Sequence, residues 1–248
     1  MEVIGIIPAR YGSTRFPGKP LVDICGKTML ERVYIQAEKS KVLDNLIVAT
    51  DDRRIAAEVG KFGGNVFITS RQHKSGTDRV AEVVKRLRIP SNTIILNIQG
   101  DAPLLHPSMI KDLVRPFHKD KNLVMTALYC RIENPLEVSN PNVVKVLMDK
   151  KGFALYFSRF PVPFIRERGT RVTYYKHIGP YAYRKNFILK FSRIKQTLLE
   201  KAERLEQLRV LESGYRIKMV RTVHCCPEVD TRQDLKKVIQ ILRTRRAF

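Results

Sequence analysis

The residues best suited to chemistry lie in a loop that follows the first apolar stretch of the chain. Residues 3–8 have the apolar character of a β-strand, and residues 9–20 are rich in Gly, Pro and Ser and carry Arg10, Arg15 and Lys19. Small residues let backbone N–H groups approach an anion closely, and clustered cations suit a polyphosphate. At the carboxyl edge of an α/β sheet, such a loop is predicted to bind a triphosphate. A solvated basic loop is the alternative.

The loop does not match the common nucleotide-binding motifs. Five residues separate Gly12 from Gly18, one more than a P-loop has, and Pro20 follows Lys19 where that motif requires Ser or Thr. No Gly-x-Gly-x-x-Gly follows the strand. The usual ATPase and dinucleotide-binding classes are therefore excluded.

Two carboxylates could face this loop through a metal ion. Asp101 follows an apolar stretch at residues 94–98, and Asp230 lies between a strand-like segment and the last predicted helix. Mg²⁺ in proteins is commonly held by one or two carboxylates together with phosphate oxygens. The pair could hold Mg²⁺, or each residue could instead cap the helix that follows it, and for Asp230 the sequence alone favours the cap.

Other polar residues could recognise a substrate. Ser75 opens a predicted helix beside Gly76, where it could bind a phosphate or simply cap the helix. Arg159 could pair with a carboxylate, while His177 and Tyr181 could bind hydroxyls or serve as structural residues. Glu206 and Gln207 lie on a leucine-rich helix, where they could recognise a sugar or face water.

The order of predicted elements sets the fold class. Strand-like segments at residues 3–8, 45–50, 65–69, 93–97 and 123–130 alternate with helical ones, as in a Rossmann-like, doubly wound, mostly parallel α/β sheet. Residues 143–148, 154–157 and 174–183 read as further strands, and residues 200–212 as one continuous helix. We therefore predict a single domain over residues 1–248 with an antiparallel, dimerisation-prone insertion at about residues 133–193.

Composition narrows the class of protein further. The chain has 248 residues, of which 28% are charged and 44% hydrophobic, so it is globular rather than disordered. The absence of a long apolar stretch or a signal peptide predicts a cytoplasmic protein, and the four cysteines are predicted to be reduced thiols. The net charge of +22 is spread among acids and apolar residues and comes with no nucleic-acid-binding motif, which favours a generally basic surface.

A family resemblance is carried by the opening segment and by seven later segments. The opening segment is residues 7–21, Ile-Pro-Ala-Arg-Tyr-Gly-Ser-Thr-Arg-Phe-Pro-Gly-Lys-Pro-Leu. The later segments are residues 48–52 (Val-Ala-Thr-Asp-Asp), 75–79 (Ser-Gly-Thr-Asp-Arg), 97–101, 154–159, 177–179, 205–209 and 229–231. In this order they resemble segments of the CMP-Kdo synthetases, the 3-deoxy-manno-octulosonate (Kdo) cytidylyltransferases. The resemblance covers the whole chain and implies a nucleotide-diphospho-sugar transferase fold.

The resemblance also implies an activity and the roles of the site residues. CTP and Kdo would react in the presence of Mg²⁺ to give CMP-Kdo and pyrophosphate, for lipopolysaccharide biosynthesis, in an enzyme that is usually a homodimer. The nucleotide would lie along Arg10, Ser13, Arg15, Lys19, Ser75 and Gln99. The metal ligands would be Asp101 and Asp230, and Lys19 and Arg15 would stabilise the phosphates. The sugar pocket would be formed by Arg159, His177, Tyr181, Glu206 and Gln207.

The chain departs from the family pattern at two positions. Ala102 stands where the family usually has Glu after Gly-Asp, and Pro180 stands where an apolar residue other than Pro is usual. Three alternatives therefore stay open. The first is a cytidylyltransferase for another acidic sugar or nucleotide. The second is an inactive homologue, suggested by Ala102, and the third is a basic nucleic-acid-binding protein on the same scaffold.

Overall fold

Nine strands form a single sheet in the computed structural model, which describes residues 1–12, 16–73, 75–167 and 169–246. The strands are β1 (Val3–Ala9), β2 (Asn45–Thr50), β3 (Asn65–Ile68), β4 (Ile94–Asn97), β5 (Met125–Arg131), β6 (Lys145–Met148), β7 (Ala154–Ser158), β8 (Tyr175–Arg184) and β9 (Ile217–Arg221). The sheet order is β3–β2–β1–β4–β8–β5–β9, and β6 and β7 form a hairpin beside β8. The predicted α/β class with a largely parallel sheet is confirmed.

Helices cover both faces of the sheet. They are α1 (Met29–Glu38), α2 (Arg53–Lys61), α3 (Gly76–Arg86), α4 (Pro107–Lys119), α5 (Leu136–Ser139), α6 (Lys185–Phe191), α7 (Leu198–Glu203), α8 (Glu206–Glu212) and α9 (Arg232–Arg246), with a 3₁₀ turn at Lys19–Leu21. Each face of the sheet carries an apolar cluster of its own, and a smaller cluster around Phe16, Ile24 and Val229 lies beneath α9.

The strand directions bring distant parts of the chain to one edge of the sheet. β1 is parallel to β2 and β4, and β5 is parallel to β9. Only β8 runs against its neighbours β4 and β5 in the main sheet of the described chain, so its first residues lie beside the carboxyl ends of the other strands. The loops after β1, β4 and β9 therefore meet near the start of β8.

The prediction of one continuous helix over residues 200–212 is wrong, because the structure has two separate helices there. Arg204 adopts a left-handed backbone conformation with φ of 53°, which ends α7, and α8 begins at Glu206. The leucine spacing continues across this break and hides it. The break matters for the site because it places Glu206 and Gln207 in the first turn of a new helix.

The prediction of four reduced thiols is also wrong. Cys130 at the end of β5 and Cys225 after β9 form a disulfide, with Cα atoms 6.7 Å apart. The parallel pairing of β5 with β9 brings these residues together across 95 positions of sequence. Cys25 and Cys226 are free. No helix among the described residues is long and apolar enough to cross a membrane, and the cytoplasmic location stays a prediction.

The cap of α2 gives a test of the local electrostatics. The Asp52 carboxylate accepts a hydrogen bond from the Arg54 backbone at 2.9 Å and pairs with the Arg54 guanidinium at 2.7 Å. The side-chain hydrogen bond from Arg54 lowers the pKa of Asp52 from 3.8 to about 2. Because the folded pKa is depressed, this stabilisation is present above the unfolded pKa and is lost as the pH falls towards 2.

Asp52→Ala is therefore expected to lower the free energy of unfolding by roughly 1 kcal/mol at neutral pH, the usual loss for a helix cap. The deficit should shrink as the pH falls from about 4 to about 2, where Asp52 of the wild type protonates. Urea unfolding at neutral pH and at about pH 2 measures the deficit in the free energy of unfolding. Glu58→Ala on the same helix is the control. An equal deficit at neutral and acid pH would contradict the assignment.

Candidate active site

The centre of the site is the ammonium group of Lys19, which lies between two carboxylates. Its Nζ atom is 2.8 Å from Asp101 Oδ2 and 3.2 Å from Asp230 Oδ1. The Lys19 side chain is only 14% exposed, so solvent screens these pairs weakly. Three residues that lie up to 211 positions apart in sequence thus form one charged cluster.

Local backbone geometry explains how each member reaches the cluster. Gly18 has φ of 72°, which favours Gly, and it starts the 3₁₀ turn that carries Lys19. The Gly18 amide donates to the Tyr11 carbonyl at 2.9 Å, which closes the loop after β1. The backbone amide of Val229 donates to the Asp101 carbonyl at 2.9 Å and ties the two acidic segments together.

Helix capping does not account for Asp101 or Asp230. The helix after Asp101, α4, is capped by His106. At the start of α9 the Thr231 hydroxyl accepts from the Asp234 amide at 3.2 Å, which is the capping interaction. Both carboxylates are therefore directed to Lys19 instead. Within the described ranges, this cluster included, no group of three or more His, Cys, Asp or Glu side chains could hold a metal ion.

A cavity of about 300 Å³ opens over this cluster. The residues predicted to bind a nucleotide that line it are Arg10, Lys19, Ser75 and Gln99, together with Asp101 and Asp230. Ser13 and Arg15 were predicted to join them but lie outside the described residues. The structure therefore gathers six of the eight nucleotide, catalytic and metal candidates around one space.

The start of α3 forms one wall of this cavity and contains residues that sequence reasoning missed. Ser75 caps α3 by accepting from the Asp78 amide at 3.1 Å, so its capping role is real while it also lines the cavity. Arg79, which also lines the cavity, is buried and pairs with Asp51 at 3.2 Å. The Ser-Gly-Thr-Asp-Arg pattern was the available signal, but nothing in it indicated a buried Arg.

Glu206 is joined to this wall by hydrogen bonds. Thr77 Oγ1 donates to Glu206 Oε2 at 2.6 Å, and Asn97 Nδ2 donates to Thr77 Oγ1 at 3.3 Å. The chain of contacts links the first turns of α3 and α8 to the end of β4. Glu206 also lines a separate cavity of about 540 Å³ together with Ser75.

The residues of β8 line a second, larger cavity of about 830 Å³, which shares Asp230 with the first. His177 lies in its wall and stacks on Tyr181, with ring centroids 5.1 Å apart. Burial lowers the pKa of His177 to about 3, so its ring is neutral at physiological pH. Its Nε2 atom is buried and has no hydrogen-bond partner among the described residues. Burial likewise raises the pKa of Tyr181 well above its usual value.

The remaining sugar candidates are Arg159, which is partly exposed, and Gln207, which is buried. The Arg159 guanidinium donates to the backbone carbonyls of Glu203 at 2.7 Å and Pro141 at 2.8 Å, which fixes the end of β7 against α7. Gln207 is 4% exposed in the first turn of α8. The structure does not place either side chain in the wall of the larger cavity, and their sugar-binding roles stay predictions.

Glu228 is the main residue of this region that sequence reasoning missed. It lies at the mouth of the larger cavity, two residues before Asp230. The pKa of its carboxyl group is raised to about 7, first by burial of that group and then by the charges of Asp101 and Asp230. The residue as a whole is nevertheless exposed. The only sign of Glu228 in the sequence was that it is an acidic residue in a mostly basic part of the chain. Ala102, by contrast, is 3% exposed and packs within the apolar core.

Comparisons with known proteins assign the family. A family model described as cytidylyltransferase matches residues 4–218. The 3-deoxy-manno-octulosonate cytidylyltransferase of Geotalea uraniireducens (strain Rf4) is 48% identical over 98% of this chain and 100% of its own length. The enzyme of the same name from Syntrophus aciditrophicus (strain SB) is 46% identical over 97% of both chains.

A solved structure leads to the same assignment. The structure of CMP:2-keto-3-deoxy-manno-octonic acid synthetase complexed with CTP matches with a TM-score of 0.93 and 38% identity, over 99% of this chain and 100% of the other. Full-length identity and fold therefore agree with the site geometry, and the chain belongs to the 3-deoxy-manno-octulosonate cytidylyltransferase family.

Proposed function

We propose that this protein transfers CMP from CTP to the anomeric hydroxyl of Kdo and releases pyrophosphate, making CMP-Kdo for lipopolysaccharide biosynthesis. The observation that supports the proposal most directly is the Lys19–Asp101–Asp230 cluster. The cluster lies at the junction of the two cavities, because Asp230 lines both of them. A nucleotide in the smaller cavity and a sugar in the larger one would meet at this point. Family membership and the match to a CTP complex support the same reaction.

In the reaction, the anomeric oxygen forms a bond to the α-phosphorus, and the bond from that phosphorus to the pyrophosphate oxygen breaks. The proton of the hydroxyl is released. Lys19 would contact the phosphates and stabilise the negative charge that develops on the leaving pyrophosphate. Arg10 lines the same cavity and would add a second positive charge there. Positioning and electrostatics, rather than a covalent intermediate, would supply most of the rate acceleration.

A divalent metal fits the donor set of the site. Asp101 and Asp230 converge on one point and offer carboxylate oxygens, the ligands that Mg²⁺ prefers, and the phosphates of CTP would complete its coordination. We propose these two residues as its protein ligands. When bound, Mg²⁺ would act as a Lewis acid that neutralises charge on the phosphates.

The sugar would occupy the larger cavity, where His177 on β8 offers a neutral ring, and Tyr181 would hold that ring in place by stacking. Glu206, which lines a separate cavity, and Gln207 would contribute from the first turn of α8. Arg159 is held by two backbone carbonyls outside the wall of the larger cavity and would pair with the sugar's carboxylate through its remaining N–H groups.

The hairpin of β6 and β7 and the loop after it would form a homodimer interface. This region lies within the predicted insertion of residues 133–193, whose last strand, β8, belongs to the main sheet. It exposes Leu155, Phe160 and Phe164, at 61%, 72% and 83% exposure. A cluster of large apolar side chains open to water favours burial against a second copy.

Pyrophosphate release tests the proposed function directly. Release is expected only when CTP, Kdo and Mg²⁺ are all present, and ATP, GTP, UTP or sialate in place of the natural substrate should give a small fraction of that rate. A preference for another sugar or nucleotide would reassign the substrate. Folded protein that releases pyrophosphate with no pair would contradict the proposal and favour the inactive or nucleic-acid-binding alternatives, which a salt titration of RNA binding would separate.

The dimer is tested by charging its proposed interface. Phe160→Glu combined with Phe164→Glu should convert a dimer to a monomer, because a buried interface does not tolerate unpaired charges. Sedimentation velocity measures the change. Ile68→Glu, at an exposed position on the edge strand β3, is the control and should stay dimeric. A wild-type protein that sediments as a monomer at micromolar concentration would contradict the proposal.

A further inference from the structure

Glu228 has no partner that explains its position. Among the described residues, no side chain or backbone group donates a hydrogen bond to its carboxylate, and none forms an ion pair with it. The residue lines the larger cavity together with His177, Gly179 and Asp230. A carboxylate without donors retains its full capacity to accept hydrogen bonds from a ligand.

The backbone of β8 leaves room for this carboxylate. A Cβ atom built on Gly179 would overlap with Glu228 Oε1 and would lie 3.0 Å from Gln99 Cγ. Gly179 is therefore required at this position if Glu228 is to keep its place. Glu228 and Gln99 therefore both approach Gly179, and Gln99 lines the smaller cavity while Glu228 lines the larger one together with His177.

The charged groups nearest to Glu228 are mostly acidic. The carboxylates of Asp101 and Asp230 raise the pKa of its carboxyl group, and Lys19, which pairs with both of them, lowers it. Lys176, in the same cavity wall, is already paired with Glu137 at 2.6 Å. A ligand rich in hydroxyl groups would provide donors without adding negative charge.

A metal-binding role fits Glu228 less well. Within the described ranges, no three acidic side chains approach closely enough to enclose an ion, so Glu228 does not complete a cage with Asp101 and Asp230. Two carboxylates together with phosphate oxygens are already a usual protein environment for Mg²⁺.

We propose that Glu228 determines specificity for the acceptor sugar by accepting hydrogen bonds from hydroxyl groups of the sugar in the larger cavity. The inference rests on the proposed function and deepens it.

The test separates sugar binding from metal and nucleotide binding. Glu228→Gln and Glu228→Ala are compared with Glu133→Gln, a change at an exposed acid outside the site. Steady-state kinetics give the KM for Kdo and for CTP, and electron paramagnetic resonance gives the affinity for Mn²⁺ in the presence of CTP. Glu228→Ala should raise the KM for Kdo by about tenfold or more, since hydrogen bonds to a charged group are lost. The KM for CTP and the Mn²⁺ affinity should stay within about twofold.

Gly179→Ala provides an independent second variant, since its methyl group would displace the Glu228 carboxylate without changing any charge. It should reproduce the rise in KM for Kdo, and thermal melting of each variant confirms that it is folded. An unchanged KM for Kdo in Glu228→Ala would overturn the inference, as would a fall in Mn²⁺ affinity in that variant. A wild-type enzyme with no activity on CTP and Kdo would instead refute the proposed function itself, so the two failures are distinguishable.

Discussion

The placement of one ammonium group between two carboxylates is the constraint on which the site depends. Lys19, Asp101 and Asp230 come from the loops after β1, β4 and β9, and they meet only because these strands end at the same edge of the sheet. The hydrogen bond from the Val229 amide to the Asp101 carbonyl fixes the distance between the two acidic segments. A shift of either loop would separate the charges and leave Lys19 unpaired in a place where solvent screens it poorly.

The antiparallel strand β8 gives the site its second half. In a fully parallel sheet, the position between β4 and β5 would present the carboxyl end of another strand to the cleft. Here β8 begins at that edge and contributes His177 and Gly179 instead. The result is two cavities that share Asp230, one bordered by basic loop residues and the other by the ring of His177. This division matches the need to hold two different substrates on opposite sides of one reacting phosphorus.

Sequence reasoning located residues that follow strand ends but missed contacts that depend on distant segments. Asp101 was predicted because polar residues at the carboxyl edge of a parallel sheet converge, whereas the role of Asp230 was predicted from the family resemblance. The break at Arg204 was missed because leucine periodicity does not report a left-handed backbone. The Cys130–Cys225 disulfide and the space that Gly179 leaves for Glu228 were missed because each depends on strand pairing across the sheet. Local sequence patterns predicted which polar residues follow the strand ends. Long-range strand pairing determined which side chains lie next to one another.

The most direct test of this account is the affinity for Mn²⁺ in the presence of CTP, measured by electron paramagnetic resonance on Asp101→Asn and Asp230→Asn. Asp149→Asn, at a surface acid paired with Arg216, is the matched control. The account predicts that each site variant loses at least about tenfold in affinity, the usual effect of altering a metal site, while the control binds like the wild type. Wild-type affinity in both site variants would contradict the claim that the two carboxylates gathered by Lys19 hold the metal and organise the reaction.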